Sequence, residues 1–304
     1  MNKTVLITGG NGLIGHNLTR LLSEAGYSVH HLSRKDKASS NGAKVFKWDI
    51  ESNEIDPDCI LGVGAIIHLA GEGIADKPWK NSQKEILIKS RTESIRLLYD
   101  LLKRTPDHQV RSVISASGIG IYGDRGDELL TEESAAGNDF MSHICIKWEE
   151  AVDEGKDLGL RTVKLRTGVV LTPQGGALAK MAQPIKLGMG SPLGSGKQWM
   201  PWIHINDIIE LYKYALENQT IRGAYNAASS IPVTNKELTQ AIAQQLDKPL
   251  WLPAVPAFVL KILLGEMSAV ALNSTKTSSN KIKDAGFKFN FERIEDALKN
   301  IYAT

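Results

Sequence analysis

Glycines spaced three residues apart near the start of the chain have the clearest chemical meaning. They are Gly9, Gly12 and Gly15, and the cofactor loop that they predict also includes Leu13 and Ile14. They follow the apolar run Thr4–Thr8, which predicts a strand, and they precede leucines at helical spacing. In such a strand–turn–helix unit, glycines permit the tight turn, the approach of a pyrophosphate and close packing of the helix on the sheet. Free N–H groups at the helix start bind phosphate. The pattern predicts a dinucleotide site, with an ordinary strand–helix turn as the alternative.

The end of the second predicted strand, Tyr27–Leu32, indicates which dinucleotide is preferred. An Asp or Glu at this point holds the ribose hydroxyls of NAD. This chain has Ser33 there, followed by Arg34 and Lys35. A hydroxyl with a guanidinium would bind a 2′-phosphate, which a carboxylate would repel. We therefore predict NADP(H) in preference to NAD(H), with a solvated basic loop as the alternative.

The third predicted strand, Lys44–Trp48, ends beside the expected adenine position. Asp49 and Ile50 follow it directly. A carboxylate at this point can accept a hydrogen bond from the exocyclic amine of adenine. An aspartate at a strand end is equally an ordinary turn former, so both interpretations of Asp49 stay open.

The fourth predicted strand, Ala65–Leu69, is apolar apart from His68, as expected for a parallel sheet covered on both faces. Leu69, Ala70 and Gly71 bring it to its end, where small residues let a cofactor pass closely. Glu72 follows at the sheet edge where ligands bind. We interpret His68 as a hydrogen-bonded core residue.

The remaining pattern continues the alternation of strands and helices and then weakens. Helices are predicted at 84–104 and 139–156, strands at 111–115 and 161–165, an irregular segment at 173–200, short returns to the sheet at 202–205 and 224–226, and mostly helices from 231 onward. The predicted fold is α/β, a Rossmann-type doubly wound parallel sheet with a smaller C-terminal substrate-side lobe. We place the NAD(P)-binding domain at residues 1–172, with returns near 200–228, and the lobe at 173–304.

The composition is that of an ordinary globular protein. The 304 residues carry a net charge of +2, which gives no reason to expect nucleic acid or a membrane as a partner. Two cysteines are too few for a disulfide framework, and no apolar run reaches the ~18 residues of a membrane span. We expect a cytoplasmic protein with a small-molecule substrate and no bound metal. A homodimer is one arrangement that we consider.

Together these motifs resemble those of the short-chain dehydrogenase/reductase superfamily, on its extended, epimerase-like branch. The matching segments are 8–15, 68–71, 115–123 and 202–207. The chain is also similar to the YfcH-type epimerase-like proteins, through Glu72, Ser90-Arg91 and the segments 145–149, 166–171 and 194–198. This resemblance covers nearly the whole chain. It implies a Rossmann-type sheet with bound NAD(P) and a substrate between the sheet and the C-terminal lobe.

The superfamily's reductases and epimerases use a Ser or Thr with a Tyr-x-x-x-Lys pair, whose lysine lowers the pKa of the tyrosine. At the matching positions this chain has Met141 and Cys145, and the usual hydroxyl position falls on Gly118. Tyr99 and Lys103 have the right spacing, but they end a helix that runs to the opposite edge of the sheet. We therefore interpret Tyr99 as a buried structural residue.

Four residues near the expected nicotinamide position are candidates for catalysis. They are Ser117, Tyr122, Cys145 and Glu72. Cys145 could be a thiol of depressed pKa near a helix N-terminus or a small buried apolar residue. Tyr122 and Glu72 could carry protons or order the cofactor loop. Arg166, at the end of the sixth predicted strand, is assigned to the cofactor site.

The sequence therefore predicts an NADP(H)-binding oxidoreductase or epimerase that acts on a small polar substrate such as a nucleotide sugar. The alternative is a protein that senses NADPH without turnover. The intact glycine loop agrees with both hypotheses, and the missing tyrosine and lysine favour the sensor.

Overall fold

An eight-stranded sheet forms the centre of the molecule, whose computed structural model describes residues 3–34 and 42–303. The strands in this range are β1 (Thr4–Thr8), β2 (Ser28–Ser33), β3 (Lys44–Asp49), β4 (Glu54–Ile55), β5 (Val63–His68), β6 (Ser112–Gly118), β7 (Leu129–Leu130), β8 (Arg161–Thr167), β9 (Val169–Leu171), β10 (Trp202–His204), β11 (Gly223–Ala227) and β12 (Lys276–Thr277). The helices are α1 (Leu13–Glu24), α2 (Asn81–Arg104), α3 (Phe140–Asp153), α4 (Gly176–Lys186), α5 (Ile205–Glu217), α6 (Asn235–Gln245), α7 (Ala257–Leu264), α8 (Ala269–Leu272), α9 (Asn280–Asp284) and α10 (Ile294–Tyr302). None of the helices in this part of the chain is long and apolar enough to cross a membrane.

The order of the strands creates a crevice at one edge of the sheet. The order is β11-β8-β6-β5-β1-β2-β3-β4, and neighbours are parallel except for the antiparallel pair β3–β4. The chain builds outward from β1 through β2 and β3, and then continues on the other side of β1 with β5 and β6. In parallel sheets ligands bind at such a reversal, outside the carboxyl ends of the strands. This crevice lies between the ends of β1 and β5.

Each face of the sheet is covered by its own apolar layer. Because successive residues of a strand point to opposite faces, Val5 and Ile7 pack in one core together with Leu18 of α1 and residues of α5. Leu6 packs in the other core with Leu98 of α2 and residues of α3. The sheet is therefore doubly wound, and the predicted fold class is confirmed.

A third core holds the C-terminal helices together. Leu178 of α4, Ile242 of α6 and Leu298 of α10 pack there around the fully buried Trp202. This lobe follows β8 along the chain, and the chain returns to the sheet at β11. The boundary placed after residue 172 stays a prediction.

Two sequence predictions in this region are wrong. The segment 173–200 is not irregular throughout, because its alanines and Leu178 form α4, with Leu178 and Ala182 buried. The segment 202–205 does not return to the main sheet. Its strand β10 pairs instead with β9 in a separate two-stranded sheet.

The Tyr99–Lys103 spacing is structural, as predicted. Tyr99 is buried, and its hydroxyl donates to the Val152 carbonyl over 2.8 Å. Lys103 is exposed and forms an ion pair of 3.0 Å with Asp100 on the same helix. Both residues lie in the last turns of α2.

His31, His68 and His204 are buried near the sheet. Burial lowers the pKa of His31 and His204 to about 4 and that of His68 to about 3. His68 hydrogen-bonds through both ring nitrogens, to Ser94 Oγ at 2.8 Å and to Ser115 Oγ at 3.1 Å. These rings are therefore neutral in the native protein at neutral pH.

We expect the free energy of unfolding to fall as the pH drops below about 6.5, the ordinary histidine pKa. The unfolded chain binds protons there that the buried rings cannot bind, so acid favours unfolding. His204 caps α5 by accepting a hydrogen bond from Asn206 N. His204→Asn keeps a capping side chain and should reduce the pH slope by up to about 1.4 kcal/mol per pH unit.

Urea denaturation at several pH values between about 7 and about 5 measures that slope. His143→Asn is the matched control, because His143 is exposed on α3. Equal slopes for the wild type and His204→Asn would contradict the prediction.

Candidate functional site

A groove of about 320 Å³ lies at the reversal of strand order. Its described lining residues are Gly9, Gly10, Asn11, Gly12, Leu32, Ser33, Arg34, Trp48, Ile50, Ala70, Gly71, Glu72 and Ser90. Most of the predicted cofactor residues are therefore brought together in one place. Those that line the groove are Gly9, Gly12, Ser33, Arg34, Ile50, Ala70 and Gly71.

The glycines of the first turn serve different purposes. A Cβ on Gly15 would lie 2.4 Å from the Gly9 carbonyl oxygen, and one on Gly10 would lie 2.5 Å from the His31 ring. Packing within the protein therefore requires both of these glycines. A Cβ on Gly12 would meet only the Gly9 oxygen, at 3.2 Å, and its φ of −76° suits any residue. Gly12 thus leaves one wall of the groove open to a ligand.

The start of α1 offers hydrogen-bond donors to this open wall. Gly12 caps the helix without a side-chain hydrogen bond, and the first turn contains no acidic residue. Within the described residues, the N–H groups of Leu13 and Ile14 have no hydrogen-bond partner. A helix N-terminus of this kind binds phosphate through its N–H groups and its partial positive charge. The loop therefore fits a dinucleotide pyrophosphate.

Ser33 and Arg34 line the groove at the end of β2, and Arg34 is exposed. Lys35, the third residue of this predicted basic segment, lies outside the described residues. The one carboxylate among the described lining residues is Glu72, which follows β5. No acidic group of the described lining thus follows β2, where one would repel a 2′-phosphate.

Asp49 acts as a turn former at the end of β3. Its Oδ1 accepts from the N–H of Glu51 over 2.9 Å and from that of Ser52 over 3.4 Å. Its neighbours Trp48 and Ile50 line the groove, whereas Asp49 does not. The predicted contact of Asp49 with adenine stays a prediction.

Thr8 joins the ends of β1 and β5 beside the groove. Its Oγ1 accepts from the N–H groups of Leu69 and Ala70, over 3.1 and 3.0 Å. Leu69 itself lies behind Gly9, whose Cβ would approach the Leu69 oxygen to 2.8 Å. Glu72 also lines the groove, and its side chain is about one-third exposed. Its Oε1 lies 4.0 Å from Lys77 Nζ.

A second cavity, of about 260 Å³, adjoins the groove behind Gly71. It lies between the ends of β6 and β8 and residues 269–275 of the C-terminal lobe. Its described lining residues are Ile74, Arg91, Gly118, Ile119, Gly120, Gly123, Met141, Ile144, Cys145, Trp148, Thr167, Gly168, Val169, Trp199, Met200, Pro201, Ala269, Val270, Asn273 and Thr275. This lining is mostly apolar.

Met141 and Cys145, which occupy the Tyr-x-x-x-Lys positions, both face this cavity from α3. Burial raises the pKa of Cys145 to about 12; the charge of Glu149 adds to this effect and that of Arg91 opposes it. The hypothesis of a depressed thiol pKa is therefore wrong. Cys145 lies in the second turn of α3, beyond the first turn over which a helix dipole acts.

Ser117, Tyr122 and Arg166 belong to a buried hydrogen-bonded network and line neither cavity. The Arg166 guanidinium donates to both carboxylate oxygens of Glu149, over 2.8 and 3.0 Å, and to the Tyr122 hydroxyl over 2.9 Å. Ser117 Oγ donates to Glu149 over 2.7 Å, and Tyr122 donates to Asn226 over 2.7 Å.

The charges in this network are mutually satisfied. Burial by itself would lower the pKa of Arg166, but its hydrogen bonds and ion pair with Glu149 raise it overall. Burial also raises the pKa of Tyr122. The structure thus places Arg166 away from the groove for which the sequence predicted it. The catalytic roles of Ser117, Tyr122, Cys145 and Glu72 stay predictions.

Several lining residues were not predicted from the sequence. Asn11 and Trp48 neighbour predicted residues, so their position in the chain was an available signal. Ser90 and Arg91 lie on α2, and their contact with the end of β5 depends on tertiary packing. Among the described residues, no group of three or more His, Cys, Asp or Glu side chains could hold a metal ion.

The sheet, the glycine loop and the groove define a dinucleotide-binding Rossmann protein of the short-chain dehydrogenase/reductase type. Residues 5–228 match the NAD dependent epimerase/dehydratase family, and residues 255–301 match a domain of unknown function, DUF1731. The chain therefore belongs to the NAD-dependent epimerase/dehydratase family, as the sequence motifs predicted.

Its relatives extend over the whole chain. An Arabidopsis thaliana protein named epimerase family protein SDR39U1 homolog, chloroplastic, is 35% identical over 98% of this chain and 86% of its own length. A Mycobacterium bovis epimerase family protein, Mb2239, is 34% identical over 100% of this chain and 98% of its own.

Solved structures give the same result. The human epimerase family protein SDR39U1, crystallised with NADPH, superposes with a TM-score of 0.87 at 30% identity, covering 99% of both chains. A Thermus thermophilus UDP-glucose 4-epimerase in complex with NAD has a TM-score of 0.74 at 18% identity and covers 99% of both chains. This second likeness concerns the fold alone.

We expect Gly12→Ala to weaken NADPH binding by about tenfold or more, because the new methyl group enters the open wall of the groove. The unfolding free energy of the cofactor-free protein should change by less than about 1 kcal/mol, because the backbone conformation suits alanine. Isothermal titration calorimetry and urea denaturation measure the two effects.

Gly15→Ala is the contrasting variant, and it should lose about 1–3 kcal/mol of stability through overpacking against Gly9. Wild-type NADPH affinity in Gly12→Ala would show that this glycine does not face the cofactor.

Proposed function

We propose that this protein is an NADP(H)-dependent oxidoreductase that transfers hydride between the cofactor in the groove and a small carbonyl or alcohol substrate in the second cavity. The observation that carries this proposal is the adjacency of the two spaces. Ser90 lines the groove and the next residue, Arg91, lines the cavity, with Gly71 packed against Arg91 between them. A protein that only binds a dinucleotide needs no second cavity at this place.

Preference for NADP(H) is supported by the charge at the end of β2. Arg34 is exposed at the groove, so its guanidinium is available to a 2′-phosphate. The described groove lining has no carboxylate next to it. The human relative crystallised with NADPH agrees with this assignment.

Net reduction asks less of the described lining than epimerisation, because epimerisation must both remove a proton from a substrate hydroxyl and return one in the same turnover. Epimerisation through oxidation needs a base that takes a proton from a substrate hydroxyl. The described lining contains no Asp, Glu, His, Lys or Tyr, and the pKa of Cys145 is raised to about 12. The glycine loop and Arg34 would hold NADPH, which would supply a hydride for the carbonyl carbon. The proton that completes the alcohol would come from water.

The sensor hypothesis is the second candidate, and the same lack of an acid–base group favours it. Binding of NADPH without turnover would need only the groove. A cytoplasmic location, a small-molecule partner and a homodimer stay predictions.

We expect Arg34→Ala to weaken NADPH binding by about tenfold to a hundredfold, since a charge-assisted hydrogen bond to phosphate is lost. Affinity for NADH should stay within about threefold of the wild type. Calorimetry with both cofactors measures the change. Arg20→Ala, at an exposed arginine of α1, is the control. Equal wild-type affinities for NADPH and NADH would refute the preference.

We expect the wild type to oxidise NADPH in the presence of at least one class of carbonyl compound. The measurement follows NADPH absorbance with aldehydes, ketones, oxo acids and nucleotide sugars, and Gly12→Ala serves as a control that lacks tight cofactor binding. Tight NADPH binding without carbonyl-dependent oxidation across this panel would favour the sensor.

A further inference from the structure

Arg91 carries a charge that none of the functions described above uses. It lies on α2 with only 9% of its surface exposed, and it reaches the wall of the second cavity. Its Nη1 donates to the Leu87 carbonyl over 2.8 Å and its Nη2 to the Glu72 carbonyl over 2.9 Å. Its guanidinium carbon lies 5.0 Å from the centre of the Trp148 ring. The guanidinium is therefore fixed in position beside the cavity.

Arg91 forms no ion pair with a carboxylate among the described residues; burial lowers its pKa, and the charge of Glu72 opposes this from beyond ion-pair distance. Within residues 3–34 and 42–303, no carboxylate oxygen lies within 4.0 Å of the Arg91 nitrogens. The hydrogen-bond acceptors of Arg91 are two neutral carbonyls and a hydroxyl. Arg166, the comparably buried arginine of the neighbouring network, is paired with Glu149 over 2.8 Å. A buried charge without a close counter-charge is unfavourable. The cavity that Arg91 lines leaves room for a ligand to supply that counter-charge.

Arg91 also has donors left to offer. A guanidinium has five N–H donors. Nε makes no hydrogen bond within the described residues, and it is not among their buried atoms that lack a partner, so it keeps some exposed surface on a side chain that lines the cavity. A carboxylate is the complementary acceptor because it takes two hydrogen bonds from such a fork.

We propose that the second cavity binds a small carboxylic acid with an apolar body, whose carboxylate pairs with Arg91. The apolar body would contact Met141, Ile144, Trp148 and Val270. Arg91 is the one charged side chain among the described lining residues, so one anionic group is matched. This proposal rests on the proposed function, for which it names the substrate class: an oxo acid or the corresponding hydroxy acid.

A nucleotide sugar fits this cavity poorly. Its diphosphate carries two negative charges or more, and its sugar needs polar partners along the wall. The cavity has about 260 Å³, below the roughly 300–1,000 Å³ of pockets for drug-sized ligands, and its lining is mostly apolar. This differs from the small polar substrate predicted from the sequence.

The test compares acids with their neutral isosteres on the full-length protein. Benzoate and cyclohexanecarboxylate are titrated against the wild type, with benzamide and cyclohexanecarboxamide as matched neutral probes, both with saturating NADPH and without it. Ligand-observed NMR or calorimetry gives the affinities. We expect the wild type to bind the acids about tenfold or more tightly than the amides.

Arg91→Met should abolish this preference, while its NADPH affinity stays within about threefold of the wild type. Arg91→Lys keeps the charge without the fork and should retain part of the preference. Arg96→Met is the matched control, because Arg96 lies on the same helix, is partly exposed, pairs with Glu154 and lines neither cavity. Thermal denaturation shows that each variant is folded.

Three results would overturn the proposal. In the first, the wild type binds acids and amides equally or binds neither. In the second, Arg91→Met keeps the full preference for acids. In the third, that variant loses NADPH affinity by about tenfold or more. The last would assign Arg91 to the cofactor. If the wild type does not bind NADPH, the proposed function fails, and the titrations without cofactor still decide the role of Arg91.

Discussion

The candidate site depends on how the ends of β1 and β5 are held together where the strand order reverses. Beyond this point the chain runs into α1 on one side and toward α2 on the other. Thr8 bridges the two strand ends through a single hydroxyl that accepts two backbone N–H groups. The Leu69 N–H also donates to the Thr8 carbonyl over 3.3 Å, whereas the Ala70 N–H is satisfied by the hydroxyl. The glycine loop and the backbone at Ala70 and Gly71 are thereby fixed as opposite walls of one groove.

The two buried arginines near this edge represent opposite solutions to the burial of charge. Arg166 is neutralised by Glu149 within a network that also ties Ser117 and Tyr122 into the fold. The chain thus uses, for internal cohesion, residues that sequence reasoning assigned to chemistry. Arg91 donates instead to two neutral carbonyls and forms no ion pair with a carboxylate among the described residues. Two buried residues of the same type therefore differ in their surroundings, because one is in an ion pair and the other is not.

The fold and the cofactor groove were largely predictable from the sequence, because their signals are local. A strand followed by glycines at fixed spacing predicts both the first turn and its ligand. Ser33 and Arg34 stand at the end of a strand that the sequence also predicted. The roles of Cys145, Arg166 and Arg91 were not predictable in this way. The pKa of Cys145 depends on burial by distant segments, and the Arg166–Glu149 pair joins residues of two separate elements. Helix α4 was missed because the glycines at its start and Pro184 inside it outweighed its short alanine-rich centre.

The short antiparallel strand β4 has a consequence for self-association. It pairs with β3 at Trp48 and Asp49, the two positions next to the groove, and the Asp56 N–H also donates to the Lys47 carbonyl. The unpaired backbone groups of an outermost strand are templates for strand addition between molecules. The backbone groups of β3 nearest the groove are already paired within the chain. The strand β4 that covers them is only two residues long, and its Glu54 is exposed. Edge-to-edge aggregation through this corner of the sheet, beside the groove, is therefore disfavoured.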